Sequence, residues 1–220
     1  MRHRFILLAM LVSVVLTGTA MAHEDPFDFG FKYYRVTGVE QNDTLNVRTE
    51  PSASSQIIGT LQPDSGPHEV VMTKDGWGQI VHQEFNGWVA LRYLAEVEVE
   101  KLGESSLPAG LTCGGTEPFW GISFLTAEQA IYTNLSIDGP RPLDVVAIKS
   151  AIARFHVLWF DLAKDGADVG HAVIRRSACS DGMSDRTYPY SADLSVVSDD
   201  MEWTLEGCCY LPEAASAGSD

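Results

Sequence analysis

Asp43-Thr-Leu-Asn-Val-Arg48 decides how the first half of the chain folds. Leu45 and Val47 alternate with Asn46 and Arg48. A period of two places successive side chains on opposite faces, so this is a strand with one buried side. Glu50-Pro51-Ser52 ends it. Ile57-Ile-Gly-Thr-Leu61 and Glu69-Val-Val-Met72 are further short apolar runs, separated by the stretch from Pro63 to Pro67. Lys74-Asp75-Gly76 is a tight-turn signal, and Trp77-Gly-Gln-Ile-Val81 follows it. Asn86-Gly87 lies between two strand-like runs and predicts a hairpin that turns there. Tyr34, Val36 and Val39 open the segment upstream, and Leu91-Arg-Tyr-Leu94 closes it. Short strands packed this closely, with turn chemistry between them, predict a small closed β-barrel over residues 33–95.

Upstream, Arg2 and Arg4 precede an apolar core from Phe5 to Leu16, and Ala20-Met21-Ala22 has the small-x-small form of a cleavage site. This predicts a secretory signal peptide over 1–22, and periplasmic or secreted localisation, because the apolar run is too short for a comfortable membrane span. No cysteine follows the cleavage site, so lipid attachment is not expected. Residues 23–32 are acidic and aromatic without a period and read as an N-terminal arm.

The formal charge is −15, and removal of the signal takes away two arginines and no acids, leaving −17. Such a chain repels nucleic acid and anionic lipid, so neither is an expected partner. Cationic partners, or plain solubility, fit the charge better.

Glu96 to Gly110 is acidic and then rich in Ser, Pro and Gly, and reads as a linker. Beyond it, residues 111–211 form a second unit, and 212–220 a flexible tail. Phe119 to Leu125, Ala130 to Leu135, His156 to Leu162, Gly170 to Arg175, Ala192 to Val197 and Glu202 to Cys208 all read as strands. Lys164-Asp165-Gly166 marks one hairpin turn. Residues 142–155 are ambiguous: Leu143, Ala147, Ala151 and Phe155 fall at helical spacing, while Val145-Val146 favours strand. The expected fold class is mainly β, an N-terminal small barrel followed by a disulfide-stapled antiparallel barrel or sandwich, with one short helix left open.

Cys113, Cys179, Cys208 and Cys209 all lie in the second unit. In an exported chain they imply two disulfides. A bond between the neighbours Cys208 and Cys209 is the least favourable pairing, and neighbours on a strand point to opposite faces. One of them should therefore reach Cys113 and the other Cys179, in an undetermined order. No C-x-x-C spacing is present, so no metal and no cofactor are expected. The chain also lacks G-x-S-x-G, H-E-x-x-H and phosphate-loop motifs.

Several motifs now combine. Leu45-Asn-Val-Arg-Thr-Glu-Pro-Ser52, Ile58-Gly-Thr-Leu61, Gly76-Trp-Gly-Gln-Ile80, Gly87-Trp-Val89 and Tyr93-Leu94 resemble, in order, the bacterial SH3-like (SH3b) module over about 33–95. The resemblance implies a half-open β-barrel that binds peptidoglycan or envelope peptides and has no catalytic activity. Gln62-Pro-Asp-Ser-Gly-Pro67 departs from the family's shorter turn. In such a barrel Trp77, Trp88 and Tyr93 are candidate aromatic contacts, and Asp43, Asn46 and Arg48 candidate polar ones. Trp88, after the hairpin turn, has core packing as its competing role, and Arg48 has loop pinning. In the second unit, Cys113-x-Gly-x-Glu-Pro-Phe-Trp120, Cys179-x-Asp-x-Met-Ser-Asp-x-x-Tyr-Pro189 and Gly207-Cys208 resemble a group of uncharacterised bacterial envelope proteins and lipoproteins. Glu117, Trp120, Asp181, Asp185 and Tyr188 are the candidates there. The competing role for Asp181 and Asp185 is to bond amides of their own loop.

The expected function is a non-catalytic envelope protein whose first unit binds peptidoglycan or an envelope peptide. The alternative is a protein inhibitor of a cationic, lysozyme-like lytic enzyme, suggested by the charge and by a shape analogy to small β-barrel inhibitors.

Overall fold

The computed structural model describes residues 32–83, 85–135, 139–198 and 201–212. The expected signal peptide, nearly all of the N-terminal arm and nearly all of the tail lie outside them.

The first unit is built from β1 (Lys32–Val36), β2 (Leu45–Arg48), β3 (Ile57–Leu61), β4 (His68–Lys74), β5 (Trp77–His82), β6 (Phe85–Ala90) and β7 (Leu94–Glu96), with a 3₁₀ turn at Leu91–Tyr93. These strands form a sheet in the order β3-β2-β6-β5-β4-β1-β7. Alternation works as the sequence predicts, since Leu45 and Val47 are buried while Asn46 and Arg48 are half-buried. Val36, Leu61, Val70, Ile80 and Val89 join them in one core. The closed barrel expected from the strand pattern is corrected: among the described residues the outermost strands β3 and β7 do not pair with each other, so this small barrel is open, as the SH3-like resemblance implies.

The β4–β5 turn uses left-handed backbone at Asp75 (φ 48°) and Gly76 (φ 81°), the geometry of a tight hairpin turn. The predicted turn at Asn86-Gly87 is corrected. Both residues lie inside β6, and the chain reverses earlier, around Gln83 (φ 52°). Gly87 is there because β2 comes too close: a Cβ would lie 2.2 Å from Val47 Cγ1.

The second unit is a closed eight-stranded barrel. Its strands are β8 (Leu111–Thr116), β9 (Phe119–Phe124), β10 (Gln129–Asn134), β11 (Arg141–Ala151), β12 (Arg154–Lys164), β13 (Ala167–Cys179), β14 (Tyr188–Ser198) and β15 (Met201–Tyr210). Each pairs antiparallel with the next, and β15 returns to β8. Of the two architectures left open, barrel rather than sandwich is the outcome. Closure leaves no edge strand. Large side chains fill the interior, among them Phe124, Phe160 and Tyr132, as expected for a barrel of this size.

Residues 142–155 are strand, not helix. They run along β11 and into β12. Positions four apart share a face on a strand as they nearly do on a helix, so the spacing of Leu143, Ala147 and Ala151 does not separate the two; the chain turns at Ile152-Ala153 before Phe155. Residues 96–110 do more than connect. Leu102 donates its amide to the Leu107 carbonyl (2.9 Å), and both leucines are fully buried in the barrel's core.

Two disulfides staple this unit, Cys113–Cys209 and Cys179–Cys208. Cys113 and Cys209 stand directly opposite each other where β15 meets β8, so one bridge seals the barrel's closing seam. Cys208, the neighbour on the other face of β15, reaches Cys179 at the end of β13.

The two units meet at a buried polar cluster. Tyr33 on β1 stands opposite Glu69 on β4, and its hydroxyl lies 2.9 Å from Glu69 Oε1 and 3.0 Å from the hydroxyl of Tyr190 on β14. Glu69 is only 7% exposed. Loss of solvent pushes its carboxyl up to about 7, against the pull of hydrogen bonds from Tyr33, Tyr190 and the Leu211 backbone and of the Arg176 charge. Burial also raises both phenols, Tyr33 most. A second contact lies alongside. Thr187 donates its amide to Asn86 Oδ1 (2.6 Å), and Asn86 Nδ2 donates to the Thr187 carbonyl (3.3 Å).

Two outcomes follow from this architecture. The folded chain holds the Glu69 proton more tightly than the unfolded chain, whose value is 4.5. Its contribution is therefore full below pH 4.5 and declines as pH rises to about 7, by about 3 kcal/mol in all. Urea unfolding across this range should show that slope, and Glu69→Gln should flatten it. Removing the seam bridge (Cys113→Ala with Cys209→Ala) should cost about 4–5 kcal/mol, and removing the shorter-loop bridge about 3–4 kcal/mol, by the same measurement.

Candidate functional site

In the first unit, a groove of about 290 Å³ lies between the loop after β1, strand β2, the start of β5 and the 3₁₀ turn. Asp43, Asn46, Arg48, Trp77 and Tyr93 all line it, so five of the six side chains selected from the sequence converge on one place. Trp88 does not. It is 8% exposed and pairs across the sheet with Arg48, which makes it a packing residue.

Local structure explains each position. Trp77 opens β5 directly after the Asp75-Gly76 turn and faces Ala90 on β6, half-buried at the groove wall. Arg48 ends β2, and its Nη1 donates to the Ser55 carbonyl (2.6 Å), pinning the loop that follows. That bond uses one N–H of the guanidinium fork and leaves others for a ligand. Asp43 is exposed, and its Oδ1 accepts the Thr44 amide (2.7 Å).

Two further charges line the groove, Glu40 and Arg92. The Arg92 guanidinium lies 4.7 Å from the centre of the Tyr93 ring, a cation–π contact. Sequence reasoning missed both. Glu40 sits in a loop without a period, and Arg92 looks like an ordinary exposed residue until the 3₁₀ turn aims it beside Tyr93. The groove thus offers two aromatic faces, two carboxylates and two guanidiniums. It suits an uncharged sugar face or a peptide that carries both signs of charge.

The five candidates of the second unit divide differently. Trp120 is buried, and its Nε1 donates to the Glu206 carbonyl (3.2 Å). Its indole lies flat against two glycines. A Cβ on Gly115 would come within 2.3 Å of Nε1, and one on Gly207 within 2.8 Å of Cζ2. Trp120 is therefore a wall of the barrel seam.

Asp181 organises its own loop. Its carboxylate accepts the amides of Met183 and Ser184 (3.0 and 2.8 Å), the Ser184 hydroxyl and the hydroxyl of buried Tyr188 (2.9 Å). Burial alone would raise its pKa, but these bonds to Ser184, Met183 and Tyr188 overcome that and hold it at about 2. A carboxylate so committed is a loop anchor and not a proton donor near neutrality. Asp185 forms an isolated bridge with Phe85 of the first unit, and Glu117 is exposed at the β8–β9 turn. Among the described residues, no three His, Cys, Asp or Glu side chains come together to hold a metal ion. No helix among them is long and apolar enough to cross a membrane.

Replacing Asp181 by Ala leaves the Tyr188 hydroxyl and two amides without their acceptor. The expected cost is about 1–3 kcal/mol by urea unfolding, with a changed tyrosine signal in near-ultraviolet circular dichroism.

Comparison with known proteins bears on the first unit. The family model described as bacterial SH3 domain matches residues 43–95. That interval holds the β2–β7 strands and most of the groove, while β1 lies before it. No curated protein and no solved structure matches the chain significantly.

Proposed function

We propose that this is a non-catalytic protein of the bacterial cell envelope, exported to the periplasm, and that its SH3-like unit binds peptidoglycan or an envelope peptide. The observation that carries the reading is the convergence of Trp77, Tyr93, Asp43, Asn46 and Arg48 on one groove within a match to the bacterial SH3 family. The groove's chemistry fits such a ligand. Peptidoglycan couples sugars, which stack on indole and phenol rings, to short peptides bearing carboxylates and amines. Glu40 and Asp43 would meet an amine, and Arg48 and Arg92 a carboxylate. The two disulfides fit an oxidising compartment. The hydrogen-bonded state of Asp181 supports a non-enzymatic reading of the second unit.

The test is co-sedimentation of the oxidised chain, lacking residues 1–22, with purified peptidoglycan sacculi. Wild type should be retained, and Trp77→Ala and Arg48→Ala should each lower retention by about tenfold at limiting sacculi. Equal retention of all three proteins, or none for wild type, would remove this groove as the wall-binding site.

A further inference from the structure

A second groove lies on the other side of the interface cluster and belongs to both units. Its outer part, about 520 Å³, is lined by Phe85 from β6 together with Phe119 and Met183 of the barrel. Its inner part, about 600 Å³, runs along the β8–β15 seam beneath Glu117 and Glu206. Thr116, Asp181 and Met183 line both parts, so the two adjoin.

Phe119 is 52% exposed and Met183 69% exposed. Large apolar side chains gathered in an open concave surface mark a place where something docks. The groove is also preformed. The Phe85–Asp185 bridge and the Asn86–Thr187 bonds fix the 180–187 loop on the first unit, and Asp181 holds that loop from within. Preorganisation of this kind lowers the ordering cost of binding.

Charge identifies the occupant. Glu117, Glu206 and Asp185 line the groove, Asp181 adds a further negative charge, and among the described residues no lysine, arginine or histidine lines either part. The nearby Arg186 turns its guanidinium over the Tyr188 ring. A second copy of a chain with formal charge −15 would meet repulsion here. We propose that this composite groove docks a cationic peptide segment of a partner protein. One apolar side chain of that segment would sit among Phe85, Phe119 and Met183, and its basic residues would face Glu117, Asp185 and Glu206. This surface is distinct from the Trp77 groove and does not depend on wall binding.

The experiment is fluorescence anisotropy of a labelled, amidated lysine–glycine peptide with one central phenylalanine, titrated with the full oxidised chain at low and physiological salt. Circular dichroism checks that each variant is folded. Glu117→Lys combined with Asp185→Lys should weaken binding about tenfold or more, and Phe119→Ser should weaken it several-fold. Glu98→Lys combined with Glu100→Lys, the same charge change on a different surface, should stay within about twofold. Equal weakening by the two charge-reversed pairs would reduce the attraction to net charge and overturn the proposal. So would no binding at low salt, unchanged binding in Phe119→Ser, or loss of binding in Trp77→Ala. Sacculus retention by the Glu117→Lys and Asp185→Lys variant, measured alongside, keeps this outcome separate from that of the wall-binding reading.

Discussion

A carboxyl group that is almost entirely out of water holds the two halves of this protein together. Glu69 would be costly to bury alone, and it is tolerated because Tyr33 from its own sheet and Tyr190 from the barrel supply hydroxyls to it. The Tyr190 hydroxyl reaches Glu69 only while the two units stay together. Separation would strip a partner from each phenol and expose the surrounding apolar surface. The cluster therefore links two separate cores, one around Val47 and one around Phe160. The Phe119 groove takes its geometry from that relation, because Phe85 and Phe119 come from different units, whereas the Trp77 groove is built within the first unit alone.

The two grooves are opposite in chemistry. The Trp77 groove carries both signs of charge beside aromatic faces, which favours a ligand that is itself mixed. The Phe119 groove gathers Phe85, Phe119 and Met183 beside polar residues and carries charge of one sign. Under the two proposed readings, such a division would let one molecule hold two different ligands without competition between them. The barrel interior takes no part in either, since its own side chains and the two leucines of the connecting segment fill it.

Most of the fold could be read from local chemistry. Asp75-Gly76 and Asp165-Gly166 each adopt the left-handed pair that their sequence announces, because a turn depends on its own residues. Cysteine partners could be narrowed by the same logic, since neighbours on β15 must face opposite ways. Where reading failed, a distant residue decided. Gly87 was taken for a turn residue, yet its lack of a side chain makes room for Val47. The spacing of Leu143, Ala147 and Ala151 is shared by a strand face and a helix face, so it could not separate the two. The groove was legible through its aromatic and polar residues, whereas Glu40 and Arg92 needed the fold to bring them in. Nothing local announces the Glu69 cluster, because Tyr33 and Tyr190 are 157 residues apart.

The bridge from Cys113 to Cys209 joins the first barrel strand to the last. Everything between them is therefore a covalent ring, and the Cys179–Cys208 bridge draws a smaller ring inside it. That connectivity bears on cleavage of the backbone by peptidases. Here a single cut at any loop within the ring opens the circle without releasing a fragment. The flanking pieces remain tethered, and in the 180–187 loop they are tethered twice. The closed barrel is thus built to survive nicking, with its hydrogen-bonded seam still welded after the backbone has been broken.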